Sequence, residues 1–129
     1  MKPYAVYRAL SYKKCIDKTA ARHAVTAKAF LRKESDLDGV SVFDDQASCH
    51  RLNIFGIAEI VVAEVEKFVN PVDGLPLAVF YNAPKSPHHL IIDNMPFHYL
   101  HEQAAELLAG NLARKAELCW EKCLRLHHG

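Results

Sequence analysis

From Phe97 to Leu126 the apolar residues change their spacing. Leu100, Ala104, Leu107, Leu108, Leu112 and Leu118 recur at helical intervals, with Glu, Lys and Arg on much of the complementary face. Before that point the chain follows another rule. Between Tyr4 and Ile92 apolar residues gather in short runs rich in β-branched and aromatic types, bounded by Pro, Gly, Asn and Asp. Strands that come first and a helix that comes last predict an α+β domain, in which a small mixed or antiparallel sheet of about five strands packs against a long C-terminal helix. No repeat, linker or low-complexity tract divides residues 1–129, so one domain is expected.

The runs can be placed one by one. YAVYRAL (Tyr4 to Leu10) reads as a strand with Arg8 inside it. The next stretch reads mostly as loop with a helical turn, ending in a short extended piece at Ala29 to Leu31. Asp38-Gly39 marks a tight turn before the strand Val40 to Phe43. Asp44 or Asp45 caps a short helix through QASCHRLN, and Gly56 stands past its end. GIAEIVVAEVEKF reads as a long central strand, followed by the strands Leu77 to Tyr81 and His89 to Ile92, which the prolines of NAPKSPH separate. The final helix starts at Asn94 or Pro96, and Gly110-Asn111 weakens its middle by ~1 kcal/mol, enough to allow a break into two helices.

Composition narrows the classes of function. Half of the residues are apolar, which excludes an intrinsically disordered chain, and sixteen basic against fifteen acidic residues give +1, no global attraction for a polyanion or a membrane. The opening MKPYAVYRAL has no apolar signal core and no run of membrane-spanning length occurs, so a cytoplasmic protein is expected, with its four cysteines reduced. Cys119 and Cys123, four apart in the predicted helix, read as small apolar residues of a packed face.

Polar residues that interrupt the apolar strands are the candidates for chemistry: Arg8, Ser41, Glu59, Glu64 and the His88-His89 pair. An arginine in a strand must emerge, pair or hold an anion, because an unpaired buried charge is costly. Its planar fork suits phosphate or carboxylate. A surface ion pair with Glu59 or Glu64 is the structural alternative. Because strand side chains alternate, His88 and His89 cannot face the same way, and one of them turns to a pocket or the core. His23, close in sequence to Arg22, Lys28 and Arg32, is a second imidazole, and two histidines with a cation are the minimum for acid-base cleavage of a phosphodiester. Tyr7, Arg8, Arg32 and His88 are accordingly assigned to substrate binding, and His89, His23 and Ser41 to catalysis, with Ser41 as an orienting hydroxyl.

Other motifs are missing. GVSVF lacks the glycine elbow of a nucleophilic serine, no P-loop or G-x-G-x-x-G is present, and ESDLDG lacks the closing glutamate of a calcium loop. His98 and His101 have no third well-spaced ligand, so no metal is expected.

YRAL, AFLRKESDLDGVSVF and SPHHLII together resemble a pattern of small uncharacterised bacterial proteins. The order of an early strand arginine, a strand serine and a later acidic or histidine position is also similar in outline to compact NAD-consuming ADP-ribosyltransferase-like domains. That resemblance implies that Arg8 grips NAD and that Ser41 matches the polar residue of the second strand. It leaves the later catalytic position open among Glu59, Glu64 and His89. Two readings follow. One is a small enzyme, hydrolase or transferase, acting on a phosphate-bearing substrate such as a nucleotide, RNA or NAD. The other is a non-enzymatic module that forms a homodimer or meets a partner through Leu107, Leu118, Trp120 and Leu124 of the C-terminal helix.

Overall fold

The structure, a computed structural model, describes residues 2–19, 21–82, 84 and 86–122. Its strands are β1 (Ala5–Leu10), β2 (Ile16–Asp17), β3 (Ala24–Val25), β4 (Val40–Phe43), β5 (Gly56–Val61), β6 (Ala78–Tyr81), β7 (His89–Asp93) and β8 (Glu117–Glu121). Its α-helices are α1 (Gln46–His50), α2 (Val62–Val65) and α3 (Glu102–Lys115). Six strands form one sheet in the order β6-β7-β4-β1-β5-β8, with every neighbouring pair antiparallel, and β2 and β3 form a separate hairpin. The molecule is therefore α+β, as its pattern predicts. Among the described residues no helix is long and apolar enough to cross a membrane.

Strand alternation divides the side chains between two layers. One face of the sheet carries Val6, Leu10, Val40, Val42, Ile60, Leu90 and Ile92, which pack with Leu108, Ala109 and Leu112 of α3 and with Phe30 into the main core. The opposite face carries a smaller cluster of Ala9, Cys49, Ile54 and Ile57, joined by Tyr7, Phe43 and Trp120. Asp45 caps α1 by accepting a hydrogen bond from the Ser48 amide at 3.1 Å. Gly39 holds φ at 140° where the turn enters β4, and an added Cβ would lie 2.5 Å from the Ile92 carbonyl oxygen.

Three expectations need correction. The long strand through GIAEIVVAEVEKF stops at Val61, because β1 supplies ladder partners only as far as the pair Ala5–Val61; the chain then turns into α2, burying Val62 and Val65 and moving Glu64 off the sheet. The piece at Ala29 to Leu31 is not extended, since residues 27–29 form a 3₁₀ turn. The last helix starts at Glu102, later than Asn94 or Pro96, runs unbroken through Gly110, and ends at Lys115. Beyond it, residues 117–121 pair with the open edge of β5. A bulge at Ile57/Ala58 places Trp120 opposite Ile57 and Leu118 opposite Ala58, so these residues, two apart, serve opposite faces. Leu118 packs against the main core and Trp120 against the smaller one, so neither belongs to an exposed helix. Cys123, Leu124 and the His127-His128 pair lie outside the described residues.

Candidate functional site

The site begins with an unequal pairing. Strand β1 pairs with β5 along its whole length, from Ala5–Val61 to Leu10–Gly56, but with β4 only at Tyr7–Phe43. Beyond that contact the two central strands separate and open a wedge in the sheet. Arg8 fills it. Its Nε donates to the Ala29 carbonyl and its Nη1 to the Ser41 carbonyl, both at 2.8 Å, replacing ladder bonds that the splayed strands do not make. Among the described residues no carboxylate comes within ion-pair distance of this guanidinium, and no hydrogen bond engages Nη2. Burial lowers its pKa from the ordinary value, only partly offset by the more distant Asp36. An arginine stays protonated under such conditions, so the wedge contains a part-buried positive charge.

The wedge opens into a cleft of about 270 Å³ lined by Arg8, Ala9, Ser11, Ser41, Phe43, Leu52, Ser86 and His89. His89, 3% exposed, lies on β7 opposite Phe43 and meets that ring edge-on at 5.6 Å. Its Nε2 is 2.9 Å from Ser41 Oγ and its Nδ1 3.4 Å from the Asn82 carbonyl oxygen. A carbonyl only accepts, so Nδ1 is the nitrogen that donates to Asn82, and in the neutral form of the ring Nε2 accepts from the Ser41 hydroxyl. A second cavity of about 140 Å³, walled by residues 35–39 with Asn82 and Ile91, also includes Ser41 and His89 in its lining. The pair therefore lines both openings.

The other residues singled out in the sequence are distributed as follows. His88 faces away from His89, and its Nδ1 lies 2.8 Å from Asp44 Oδ1 on an exposed rim. Tyr7 donates from its hydroxyl to Glu59 at 3.1 Å, so Glu59 is engaged by Tyr7 and not by Arg8. Burial, then Glu59, raises the pKa of that phenol. His23 lies in a different region, with Nδ1 2.7 Å from Glu121 of β8. Arg32 spends its guanidinium on the carbonyls of Asp36, Leu37 and Met95 and stacks over Phe97 at 3.8 Å, fastening the loop before β4. Folding thus brings Arg8, Ser41 and His89 together and leaves His23 and Arg32 elsewhere.

Several neighbours carried no signal in the sequence. Phe43, Leu52, Ser11 and Asn82 reach the site through strand pairing and loop closure. Lys28 and Lys33 were visible as cations but not as partners of Arg8, from which they are separated by about twenty or more positions. Asp44, Asp45 and His88 form one group whose ligand atoms lie within 4.8 Å of one another, and His98, Glu102 and Glu106 form another. Hydrogen bonding and capping account for much of both, since His88 is hydrogen-bonded to Asp44, Asp45 caps α1 and His98 is hydrogen-bonded to Glu106. The buried thiol of Cys49 is pushed up to about 12 by desolvation first, which makes it a packing group rather than a nucleophile. Comparison with family models, curated proteins and solved structures gave no match, so the site is interpreted from its own geometry.

Proposed function

We propose that the wedge cleft binds a phosphate-bearing small molecule, such as a nucleotide, NAD or an RNA end, and that His89 and Ser41 move a proton on it in a hydrolase or transferase reaction. One observation carries this reading: a part-buried arginine with no carboxylate partner among the described residues opens onto the same cleft as a hydrogen-bonded serine–histidine pair. A bound oxyanion would supply the missing negative charge and accept from Nη2, in the bidentate manner that arginine favours. With Nδ1 protonated toward Asn82, His89 Nε2 is poised as a base acting through or beside the Ser41 hydroxyl. Phe43 and Leu52 offer apolar walls for the organic part of the ligand.

Titration with adenosine monophosphate, followed by backbone amide NMR shifts, tests the reading. The amides of Ala9, Ser41 and His89 are expected to move, and Arg8→Gln is expected to weaken binding about tenfold or more. Shifts scattered over the surface, or an Arg8→Gln protein that stays folded and binds equally well, would remove the proposal.

A further inference from the structure

Arg8 lines two adjoining cavities. On the Ser41 side lies the wedge cleft; on the Ala29 side lies a smaller cavity of about 80 Å³, lined by Arg8, Ser11, Tyr12, Lys28 and Lys33 among others. Arg8 has one guanidinium bond on each wall, to Ser41 and to Ala29. The two spaces also share Ala9 and Ser11.

The charge in the smaller cavity is one-sided. Three cationic side chains line it, and no carboxylate does. Three lysines find acids, Lys2 with Glu66, Lys18 with Glu121 and Lys67 with Glu64, while Lys13, Lys14, Lys115 and Lys122 form no ion pair among the described residues. Among the described residues Lys28 and Lys33 have no such partner. Lys33 instead lies over the Tyr12 ring at 3.8 Å and donates to its hydroxyl at 2.6 Å, which holds the ammonium beside the cavity. Asp36, three residues after Lys33, uses a carboxylate oxygen to accept from the Lys33 amide. Like charges gathered without an anion repel one another, and a tetrahedral oxyanion would relieve that repulsion.

Size then separates the roles of the two spaces. The smaller cavity is far below the roughly 300 Å³ of typical small-molecule sites and has room for a phosphate group but not for a nucleoside. The larger one, with Phe43 and Leu52, suits a sugar- or base-sized body. We infer that the ligand of the wedge cleft carries a terminal phosphate, seated against Lys28, Lys33 and Arg8, and that this phosphate is a binding handle while the Ser41–His89 pair faces the organic body. This rests on the cleft reading above and narrows it. The substrate class becomes the phosphomonoesters, and internal pyrophosphates such as that of NAD fit less well because their phosphates have no free end to enter the seat.

Ribose 5-phosphate, ribose and NAD, titrated separately into the wild-type chain and into the Lys28→Ala/Lys33→Ala double variant, test this. Both substitutions are on exposed side chains, and a thermal melt confirms that the variant folds. The expected result is that ribose 5-phosphate binds, that ribose does not, that NAD binds at least about tenfold more weakly, and that the double variant weakens ribose 5-phosphate binding by about tenfold or more. If the double variant binds ribose 5-phosphate within about twofold of wild type, or NAD binds as tightly, the terminal-phosphate seat is overturned while the cleft reading stands. If no phosphate compound binds and amides around Ser41 and His89 do not move, both are overturned.

Discussion

Arg8 carries two roles that a single residue seldom combines. It closes a gap in the backbone ladder between β1 and β4, and it supplies the charge of the candidate site. The first role makes its removal costly even without any ligand, because the carbonyls of Ala29 and Ser41 lose their donor in a poorly hydrated place. Arg8→Ala is expected to destabilise the fold by about 1–3 kcal/mol. Arg8→Lys should recover only part of that loss, since one ammonium cannot reproduce the planar fork across two carbonyls. Urea unfolding midpoints of the two variants against wild type measure the difference, and equal losses would show that the fork geometry is immaterial.

At the scale of elements, the site depends on how β4 is delivered to the sheet. The turn at Asp38-Gly39 starts the strand in register with β7, pairing Val40 with Ile92 and Phe43 with His89, so that Ser41 lies diagonally across from the imidazole. Gly39 is required there on two counts, a φ of 140° and the Ile92 carbonyl oxygen 2.5 Å from any Cβ. Gly74 also has a positive φ, 77°, but open space around it. Gly39→Ala is therefore expected to cost about 1–3 kcal/mol or more, and clearly more than Gly74→Ala, which bears backbone strain alone. Thermal melts of the two variants make the comparison; similar midpoints would mean that the turn relaxes away from Ile92.

For the whole molecule, acid sensitivity follows from three carboxylates outside the cleft. The Thr19 hydroxyl lowers the pKa of Asp17 from 3.8, and the Ser48 hydrogen bond lowers that of Asp45 from the same value. Burial alone would raise Glu66, but the Lys2 bond and the Val79 amide outweigh it and leave it below 4.5. A carboxylate more acidic in the folded than in the unfolded chain stabilises the fold fully above its unfolded pKa and loses that contribution as pH falls through the folded value. Urea midpoints should hold above about pH 5 and fall toward about pH 3. Glu66→Gln should make that fall shallower, because glutamine takes up no proton in this range and one of the three shifted carboxylates is removed.

Periodicity and turn chemistry alone determined the α+β class, strands over Tyr4–Leu10, Val40–Phe43 and His89–Ile92 that match the observed bounds to within a residue, and a cap for α1 at Asp44 or Asp45. These are local properties: alternation, a glycine turn and an Asx cap act over a few residues. The end of β5 at Val61, the conversion of residues 117–121 from predicted helix to edge strand, and the meeting of Arg8 with Ser41 and His89 depended on partners dozens of positions away. Strand order decides such matters, and no spacing within one segment encodes it. Arg8 in particular reads as an exposed or paired charge until β1 and β4 are seen to part, because only that divergence creates both the carbonyls it satisfies and the cleft it charges.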